Sequence, residues 1–338
     1  MENKRIFFTG PQKVEIVTEE AVKPAAGQIM VKLAVSSISS GTERANLLGT
    51  EAVTIQTNTI GPVYPVRPGY SSSGTVVELG EGVTEFQIGD RVALSWSSHS
   101  QYVTISTGNV HKLEDEVGFS EAALLHIATF PMAAIRKCRL EMGESAMVMG
   151  QGVLGQIAVQ LLRAAGALPV IAVDPVPEKR ALALQYGADY ALDPRDPDFA
   201  KTVRKLTHGG VKVAIEVTGL GQGLDNALDC MAKFGRVALL GCTRRSDFTI
   251  DYYHKVHGPG ISLIGAHTLA RPERESSAGM WTTHDDAMAL MRMQAAGRID
   301  LRSLVEEIHA PYEAPEVYRR LATEKSFPVV QFDWTKMN

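Results

Sequence analysis

The stretch Gly150-Gln-Gly-Val-Leu-Gly155 fits the pattern G-x-G-x-x-G and decides how the fold is interpreted. The apolar residues 146–149 precede it, and an amphipathic pattern over residues 152–165 follows it. In such a turn the first glycine permits the tight bend, the second lets the backbone approach a phosphate, and the third allows close helix–strand packing. The helix that follows directs unpaired N–H groups and the positive end of its dipole at that phosphate. The stretch therefore predicts a strand, a phosphate-binding turn and a helix.

Around this turn, short apolar runs alternate with amphipathic segments from residue 145 to about residue 265. The pattern predicts strands at residues 146–149, 169–173, 190–192, 213–217, 237–240 and 262–264. It predicts helices at residues 152–165, 177–186, 199–206 and 223–231. Repeated βα units of this kind are typical of an α/β fold with a doubly wound parallel sheet and helices on both faces.

The residues outside these units are richer in strand patterns. Alternating or β-branched runs separated by Gly and Asp predict strands at residues 5–9, 13–17, 28–35, 74–80, 89–94 and 101–105, which suggests a small barrel or sandwich. A helical pattern starts at Ser120, and Pro131 is expected to kink or restart it. Helices at 284–296 and 314–322 and a strand at 327–332 end the chain. We predict a β-rich domain, residues 1–119 and 268–338, interrupted by an α/β domain, residues 120–267.

Composition excludes several classes of function. The chain has 338 residues, of which 45% are hydrophobic, and a formal net charge of −4 without a clustered basic excess, so we expect no nucleic-acid partner. Short basic pairs such as Arg244-Arg245 are interpreted as solvated loops rather than anion sites. No run reaches the ~18–20 apolar residues of a membrane span, and the N-terminus lacks a secretory signal, so we expect a cytoplasmic protein. Cys138, Cys230 and Cys242 form no C-x-x-C pair, which argues against a disulfide framework.

Asp174 ends the next predicted strand, at about the separation expected for an acid that binds ribose. Its carboxylate can accept hydrogen bonds from both adenosine ribose hydroxyls and would repel a 2′-phosphate, which favours NAD(H) over NADP(H). Lys179 and Arg180 are near enough in sequence to keep NADP(H) open as the alternative. The full set predicted to bind the cofactor is Gly150, Gly152, Val153, Leu154, Gly155, Asp174, Lys179, Thr218 and Gly241. Thr218 and Gly241 follow later strands and are assigned to the nicotinamide half, although they are also ordinary turn residues.

The order of segments and three motifs resemble the medium-chain dehydrogenase/reductase superfamily along essentially the whole chain. The motifs are Gly80-Glu-Gly-Val83, Gly89-Asp-Arg-Val92 and the glycine turn at Gly150. The resemblance implies a Rossmann domain inserted in a β-rich GroES-like catalytic domain. It also implies hydride transfer between a nicotinamide cofactor and an alcohol, and assembly into a homodimer or homotetramer.

The departures from that superfamily concern zinc. Ser40-Gly-Thr-Glu43 stands where zinc-dependent members have Cys-Gly-Thr-Asp, and Gly69-Tyr-Ser71 stands where they have Gly-His-Glu. The later ligand position holds His126, and one imidazole cannot make a site that needs three protein ligands. Residues 91–102 also lack the four-cysteine lobe that holds structural zinc. We predict no zinc at either place.

Within the zinc-lacking members, two stretches resemble the branch that includes bacteriochlorophyllide dehydrogenase and sugar-linked oxidoreductases. They are Ile38-Ser-Ser-Gly-Thr-Glu-Arg44 and Tyr64-Pro-Val-Arg-Pro-Gly-Tyr70. This resemblance implies a secondary alcohol on a ring.

Without zinc, side chains must polarise the carbonyl and move the proton. His126 or Tyr70 is the candidate general acid/base, and Ser40 and Thr42 are expected to orient the substrate oxygen. Glu43 is expected to orient a partner or act as the base if it is desolvated. Three of them have plainer interpretations. His126 is then a packed structural residue, Tyr70 is an aromatic side chain that fills the cavity, and Glu43 forms a surface ion pair with Arg44.

His99, His254, His257, His267 and His284 are interpreted as structural or loop residues, and His267 is the exception to watch, because it follows the predicted strand at 262–264 near the domain junction. The function predicted is NAD-linked interconversion of a secondary alcohol, sugar-like or a cyclic polyol, and a ketone in a cleft between the domains. The substrate is a small molecule, without a nucleic-acid or membrane partner. An NADPH-dependent quinone or enone reductase and a non-catalytic nucleotide-binding protein are the alternatives.

Overall fold

A computed structural model describes residues 1–50, 61–243 and 248–337; the pair Arg244-Arg245 lies outside the described residues. The chain divides into two compact units. The first comprises Met1–Ile127 and Ala287–Asn338, and the second comprises Ala128–Asp286. The predicted domain limits, at 119/120 and 267/268, precede the divisions between these units at 127/128 and 286/287. The domain limits stay a prediction.

The strands, in chain order, are β1 Glu2–Gly10, β2 Lys13–Glu20, β3 Gln28–Ser37, β4 Ser71–Leu79, β5 Arg91–Ser95, β6 Tyr102–Ser106, β7 Val110–Lys112, β8 Ala146–Met149, β9 Val170–Val173, β10 Tyr190–Leu192, β11 Val211–Glu216, β12 Met231–Leu239, β13 Ser262–Gly265, β14 Glu307–His309 and β15 Val330–Asp333. The α-helices are α1 Ser40–Leu48, α2 Phe119–Ala122, α3 Leu125–Lys137, α4 Val153–Ala164, α5 Pro177–Gln185, α6 Phe199–Leu206, α7 Gly221–Asp229, α8 Thr283–Ala295 and α9 Ala314–Thr323. Among the described residues, no helix is long and apolar enough to cross a membrane.

The second unit is built on a parallel sheet with the strand order β10-β9-β8-β11-β12-β13. The order reverses next to β8, so β8 and β11 meet at the point where the two halves of a doubly wound sheet diverge. Strands β8 and β9 are buried along their whole length, as expected for a parallel sheet covered on both faces. The predicted α/β class with a doubly wound parallel sheet is confirmed.

The first unit contains a mainly antiparallel sheet with the order β14-β15-β3-β4-β5-β7, in which β6 also pairs with β3. The hairpin of β1 and β2 forms a separate two-stranded sheet. Aliphatic and aromatic side chains from both ends of the chain form one core here, including Phe8, Leu47, Tyr318, Phe332 and Trp334. This core explains why the last residues return to the β-rich unit, as the predicted interruption requires.

Two local predictions differ from the structure. The sequence predicts a kink or a restart at Pro131, and the restart does not occur, because α3 runs without a break through that residue. The chain breaks earlier, between α2 and α3, and nearly every residue of α3 as far as Ile135 is buried, which offsets the one hydrogen bond that proline cannot donate. The strand β12 starts at Met231 rather than at residue 237, because the turn-like residues Phe234 and Gly235 lie within a continuous but irregular strand.

Candidate functional site

The glycine turn of the second unit connects β8 to α4. Gly150 has φ +98°, a conformation that favours glycine, and its N–H donates to the carbonyl of Val173 at 2.8 Å. A Cβ atom at Gly155 would lie 1.9 Å from the carbonyl oxygen of Gly150, so no other residue fits there. A Cβ atom at Gly152 would meet nothing within 4 Å. The turn therefore packs tightly at Gly155 and leaves free space beside Gly152.

This geometry fits a pyrophosphate. Gly152 is the N-cap of α4 and has no side chain to satisfy the first N–H groups of the helix, which belong to Val153, Leu154 and Gly155. Those N–H groups and the helix dipole attract an anion into the open space at Gly152. The predicted phosphate-binding residues thus come together at one helix N-terminus.

Asp174 follows β9 directly and is buried, with 7% of its surface exposed. One carboxylate oxygen accepts from the backbone N–H of Gln151 at 2.8 Å, and the other accepts from the N–H of Val176 at 2.8 Å. Each oxygen retains a lone pair, so both can still accept from a pair of ribose hydroxyls. The hydrogen bond to Gln151 fixes the carboxylate next to the glycine turn.

Two cationic side chains predicted near Asp174 behave differently. Lys179 lies half-buried in α5. Arg180 donates to the backbone carbonyl of Asp174 at 2.7 Å and lies 3.3 Å from a carboxylate oxygen of Asp193. The arginine therefore supports the turn that carries Asp174.

The turns that follow the later strands β11 and β12 lie against each other. A Cβ atom at Gly241 would lie 2.2 Å from the backbone nitrogen of Gly219, so the turns after β11 and β12 are in contact. Glu216, at the end of β11, holds them: its carboxylate accepts from the N–H and hydroxyl of Thr218 and from the N–H of Gly219 at 3.1 Å. Its backbone carbonyl accepts from the N–H groups of Leu240 and Gly241. Burial raises the pKa of Glu216 against these hydrogen bonds, which favour the carboxylate.

In the first unit, the candidates Ser40, Thr42 and Glu43 all lie in the first turn of α1. Ser40 and Thr42 are half-buried, whereas Glu43 is 1% exposed. Arg44 donates to the carbonyls of Ala322 and Glu324, so the interpretation of Glu43 and Arg44 as a surface ion pair is wrong. The reason is the register of α1, which turns Glu43 towards the core.

Glu43 is the centre of a buried polar cluster. One carboxylate oxygen accepts from the N–H of Ser39 at 2.8 Å; the other accepts from the hydroxyl of Tyr318 at 2.5 Å and lies 3.1 Å from Nε2 of His99. Burial and the facing carboxylate raise the pKa of Tyr318 well above its ordinary value. The other ring nitrogen of His99 lies 2.7 Å from the hydroxyl of Ser36. A buried carboxylate is thus satisfied on both oxygens.

Three aromatic rings gather beside this cluster. The ring of His126 lies 4.6 Å from Trp96 and 5.8 Å from Tyr70, centroid to centroid, and both pairs meet edge to face. Tyr70 donates its hydroxyl to Ser39, and its backbone carbonyl accepts from the N–H of Trp96 at 2.8 Å. Trp96 is 43% exposed and has φ +62°. The structure therefore brings the two acid/base candidates, Tyr70 and His126, together around an exposed indole.

The residues at the expected zinc positions supply a hydroxyl, a phenol and one imidazole. Among residues 1–50, 61–243 and 248–337, no group of three or more His, Cys, Asp or Glu side chains could hold a metal ion. The described side chains do not fit a tetrahedral zinc site, which needs at least three protein ligands. That the protein works without zinc stays a prediction.

Sequence reasoning missed four residues of this region: Ser39, Trp96, His99 and Tyr318. Ser39 and Trp96 adjoin predicted candidates along the chain or in space, but nothing in their spacing marked them. His99 was interpreted as structural, and its close contact with Gly69, where a Cβ atom would lie 2.8 Å from the imidazole, is visible only in the structure. The catalytic roles of Ser40, Thr42, Glu43, Tyr70 and His126 stay predictions.

Comparison with known proteins assigns domains to most of the chain. The alcohol dehydrogenase GroES-like domain matches residues 26–156, and the zinc-binding dehydrogenase domain matches residues 153–281. The two matches follow the order of β-rich and α/β units in the fold.

Among similar proteins, D-guloside 3-dehydrogenase of Escherichia coli (strain K12) is 23% identical in an alignment of 334 positions that covers 93% of this chain and 95% of the relative. (R,R)-butanediol dehydrogenase of Bacillus subtilis (strain 168) is 30% identical over 202 residues, covering 52% of this chain and 58% of the relative. The crystal structure of an alcohol dehydrogenase from E. coli CFT073 in complex with NADH matches with a TM-score of 0.83 at 17% identity, covering 98% of this chain and 99% of that one. At that identity the structural likeness concerns the fold alone.

Proposed function

Since the chain belongs to the medium-chain dehydrogenase/reductase superfamily, we propose that it is an NAD(H)-dependent oxidoreductase that interconverts a secondary alcohol and a ketone without zinc. The observation that carries this proposal is the pairing of an open helix N-terminus at Gly152 with the buried carboxylate of Asp174. A dinucleotide needs both features, one for its pyrophosphate and one for its adenosine ribose. Neighbours with the same fold were solved with NADH (from E. coli CFT073) and with NADP (from Sinorhizobium meliloti 1021), which supports a nicotinamide cofactor, and the choice of NAD(H) rests on Asp174.

Bound nicotinamide supplies or accepts the hydride. In the oxidation, the carbinol C–H bond breaks, its electron pair leaves with the hydrogen as hydride, and the hydroxyl proton passes to a side chain as the C=O bond forms. Tyr70 and His126 are the groups proposed to exchange that proton, and Ser40 and Thr42 are proposed to orient the oxygen. A histidine titrates near pH 6.5 and a tyrosine near pH 10 when unperturbed, so His126 is the better acid/base at neutral pH. The hydroxyl contact of Tyr70 with Ser39 suits it to hold the substrate oxygen.

The proposed substrate class is a sugar or cyclic polyol. Exposed Trp96, with Tyr70 and His126 within 6.0 Å of its ring, offers an apolar face bordered by polar groups. Such a surface suits a sugar ring, whose C–H face packs on an indole while its hydroxyls bond at the edges. The relative in E. coli (strain K12) carries the name D-guloside 3-dehydrogenase, and that name supports the same class.

The test combines three measurements on purified protein. The metal content is measured first, then the binding of NADH and NADPH by nicotinamide fluorescence, then turnover of cyclic polyols and glycosides with NAD. We expect turnover with NAD at less than stoichiometric zinc, unaffected by a chelator. Stoichiometric zinc whose removal abolishes turnover would overturn the zinc-free part. Tight NADH binding without turnover of any alcohol or ketone would favour the non-catalytic alternative, and a preference for NADPH with quinones would favour the reductase.

Variants of the two acid/base candidates separate their roles. His126→Gln is expected to lower kcat by about 100-fold or more, the ordinary contribution of a general acid/base. Tyr70→Phe is expected to raise KM more than it lowers kcat, because it removes a contact to the substrate oxygen. If Tyr70→Phe instead abolishes kcat, and the loss of kcat grows at low pH, then Tyr70 is the acid/base and His126 contacts the substrate oxygen.

A homodimer or homotetramer is also proposed, formed through the edge of the parallel sheet. Among the described residues β13 is an end strand of that sheet, and its Ser262, Leu263 and Gly265 are exposed. An open edge of this kind pairs readily with another strand. Light scattering of the wild type and of Leu263→Lys tests the proposal: a wild-type monomer would contradict it, and a dimer that the lysine dissociates would support it.

A further inference from the structure

Asp193 is the residue that follows β10, and it lies next to the proposed ribose site. The backbone N–H of Asp174 donates to the carbonyl of Leu192 at 3.2 Å, so the ends of β9 and β10 are adjacent. Asp193 is therefore a second carboxylate at the adenosine end of the site. It was not among the residues predicted from the sequence.

The carboxylate of Asp193 holds two arginines. Arg195 donates to one of its oxygens through Nε at 2.9 Å and to the other through Nη2 at 2.6 Å, which is a bidentate pair. The same Nη2 also donates to the carbonyl of Pro175 at 2.7 Å. Arg180 lies 3.3 Å from Asp193 through Nη1, and this Nη1 also donates to the carbonyl of Asp174. Both guanidinium groups are thereby tied down beside the turn that follows Asp174.

Both edges through which Arg195 could bind a phosphate are engaged, because they share Nη2. A guanidinium binds carboxylates and phosphates through two parallel N–H groups, and this geometry makes the pair strong and directional. In dinucleotide-binding folds, an arginine near the ribose-binding acid accommodates a 2′-phosphate. Here the Nε–Nη2 edge already binds Asp193, and the second N–H of Nη2 donates to the carbonyl of Pro175, so a 2′-phosphate could form a bidentate pair only by displacing one of these acceptors.

We propose that Asp193 is a coenzyme-specificity residue, which excludes NADP(H) by keeping Arg195 occupied. The selection against a 2′-phosphate then has two parts: repulsion by Asp174 and sequestration of Arg195 by Asp193, while Arg180 stays bound to the carbonyl of Asp174. Arg195 holds the pKa of Asp193 well below its usual range, so the carboxylate stays charged throughout the neutral range. This inference rests on the proposed NAD(H)-dependent function and adds to it how the second cofactor is rejected.

The test measures dissociation constants for NADH and NADPH by fluorescence titration in four proteins. They are the wild type, Asp193→Asn, the double variant Asp193→Asn/Arg195→Gln, and Asp196→Asn as the matched control. Asp196 is an exposed acid close by, and its carboxylate accepts from the backbone N–H of Asp198. The control variant also removes one negative charge from this loop, but it leaves the hydrogen bonds between Arg195 and Asp193 in place.

We expect Asp193→Asn to tighten NADPH binding by about tenfold, which is the scale of one charge-assisted hydrogen bond. The ratio of the NADH and NADPH constants should shift accordingly. Asp196→Asn should shift that ratio by less than about twofold, since exposed charges are largely screened. The double variant should return to the wild-type ratio, because the gain needs the guanidinium of Arg195.

Two outcomes would overturn the inference alone. One is that Asp193→Asn gains no more NADPH affinity than Asp196→Asn; the other is that the gain persists after Arg195→Gln is added. In both cases the wild type still binds NADH, and the proposed function stands. A wild type that binds neither nucleotide, or that prefers NADPH, would overturn the proposed NAD(H) function and this inference together.

Discussion

The two units each bury a carboxylate at their candidate site, but they hold it in opposite ways. Asp174 in the second unit accepts from backbone N–H groups of Gln151 and Val176, which are 23 and 2 residues away in sequence. Glu43 in the first unit accepts from the hydroxyl of Tyr318, 275 residues away, and pairs with His99, 56 residues away. The candidate nucleotide site is thus built mainly by local backbone, and the candidate alcohol site mainly by side chains from distant parts of the chain, beside one local backbone contact of Glu43 with Ser39.

The difference teaches where each site is sensitive. A site made of backbone N–H groups depends on glycines and on helix position, and it tolerates side-chain changes that leave the backbone in place. A site made of buried side chains depends on every partner, because removing one leaves the others without a hydrogen bond. Substitutions at Glu43 should therefore act on folding, and substitutions around Gly152 should act on binding.

The largest effect is expected from Glu43→Ala. It leaves the N–H of Ser39, the hydroxyl of Tyr318 and the imidazole of His99 without their acceptor, and breaking a buried charged cluster costs about 3–5 kcal/mol. Urea unfolding measures the free energy of unfolding. The control is Glu316→Ala on α9, an exposed acid paired with Arg319, for which a change below about 0.5 kcal/mol is expected. Equal effects at the two glutamates would remove the contrast between the units.

A pair of glycine variants tests the other side of the comparison. The Cβ of Gly155→Ala would overlap the carbonyl of Gly150, so we expect a loss of about 1–3 kcal/mol in stability and of about 100-fold or more in NADH affinity. Gly152→Ala has space for its Cβ and an ordinary φ of −74°, so its stability should fall by no more than about 1 kcal/mol, the cost of alanine at a helix N-cap. Its Cβ enters the proposed pyrophosphate space, and NADH affinity should fall by about tenfold. Full NADH affinity in Gly152→Ala would contradict the placement of the pyrophosphate.

Glu216 is a buried acid in the second unit, whose candidate site consists mainly of backbone groups. Its substitution therefore tests whether a buried side chain also matters there. In Glu216→Gln the amide oxygen can still accept from Thr218. The NH2 group then faces the N–H of Gly219, which loses its acceptor. We expect NADH to bind about tenfold more weakly, while ADP-ribose, which lacks the nicotinamide, binds as it does to the wild type. Isothermal calorimetry with both ligands measures the split. Equal weakening of both ligands would mean that Glu216 supports the whole sheet rather than the turns at Thr218 and Gly241.

The same contrast explains how much could be predicted from the sequence. The glycine turn, Asp174 and the parallel strands are encoded within short stretches by glycine positions and apolar runs, and the structure has them close to where they were predicted. The cluster around Glu43 joins α1, the loop at His99 and α9, and no local pattern couples residues so far apart. Trp96 was missed for a related reason: its left-handed backbone is imposed by tertiary contacts, since tryptophan has no intrinsic preference for it.

The smallest expected effect concerns the left-handed backbone at Trp96, which distinguishes the two candidate sites once more. In the nucleotide site the left-handed positions at Gly150 and Gly219 are glycines, whereas at Trp96 a bulky residue has φ +62°. Trp96→Gly should therefore be more stable than Trp96→Ala by about 0.5–1 kcal/mol, the reverse of the usual order, because alanine is strained there. The matched pair Ser97→Gly and Ser97→Ala, where φ is not left-handed, should show the ordinary order, and thermal unfolding of the four variants measures both. Both Trp96 variants should raise KM for ring substrates, since each lacks the indole. If the alanine variant is the more stable one at both positions, the backbone at Trp96 is not strained. Its left-handed conformation then gives no support to a role of the indole in substrate binding.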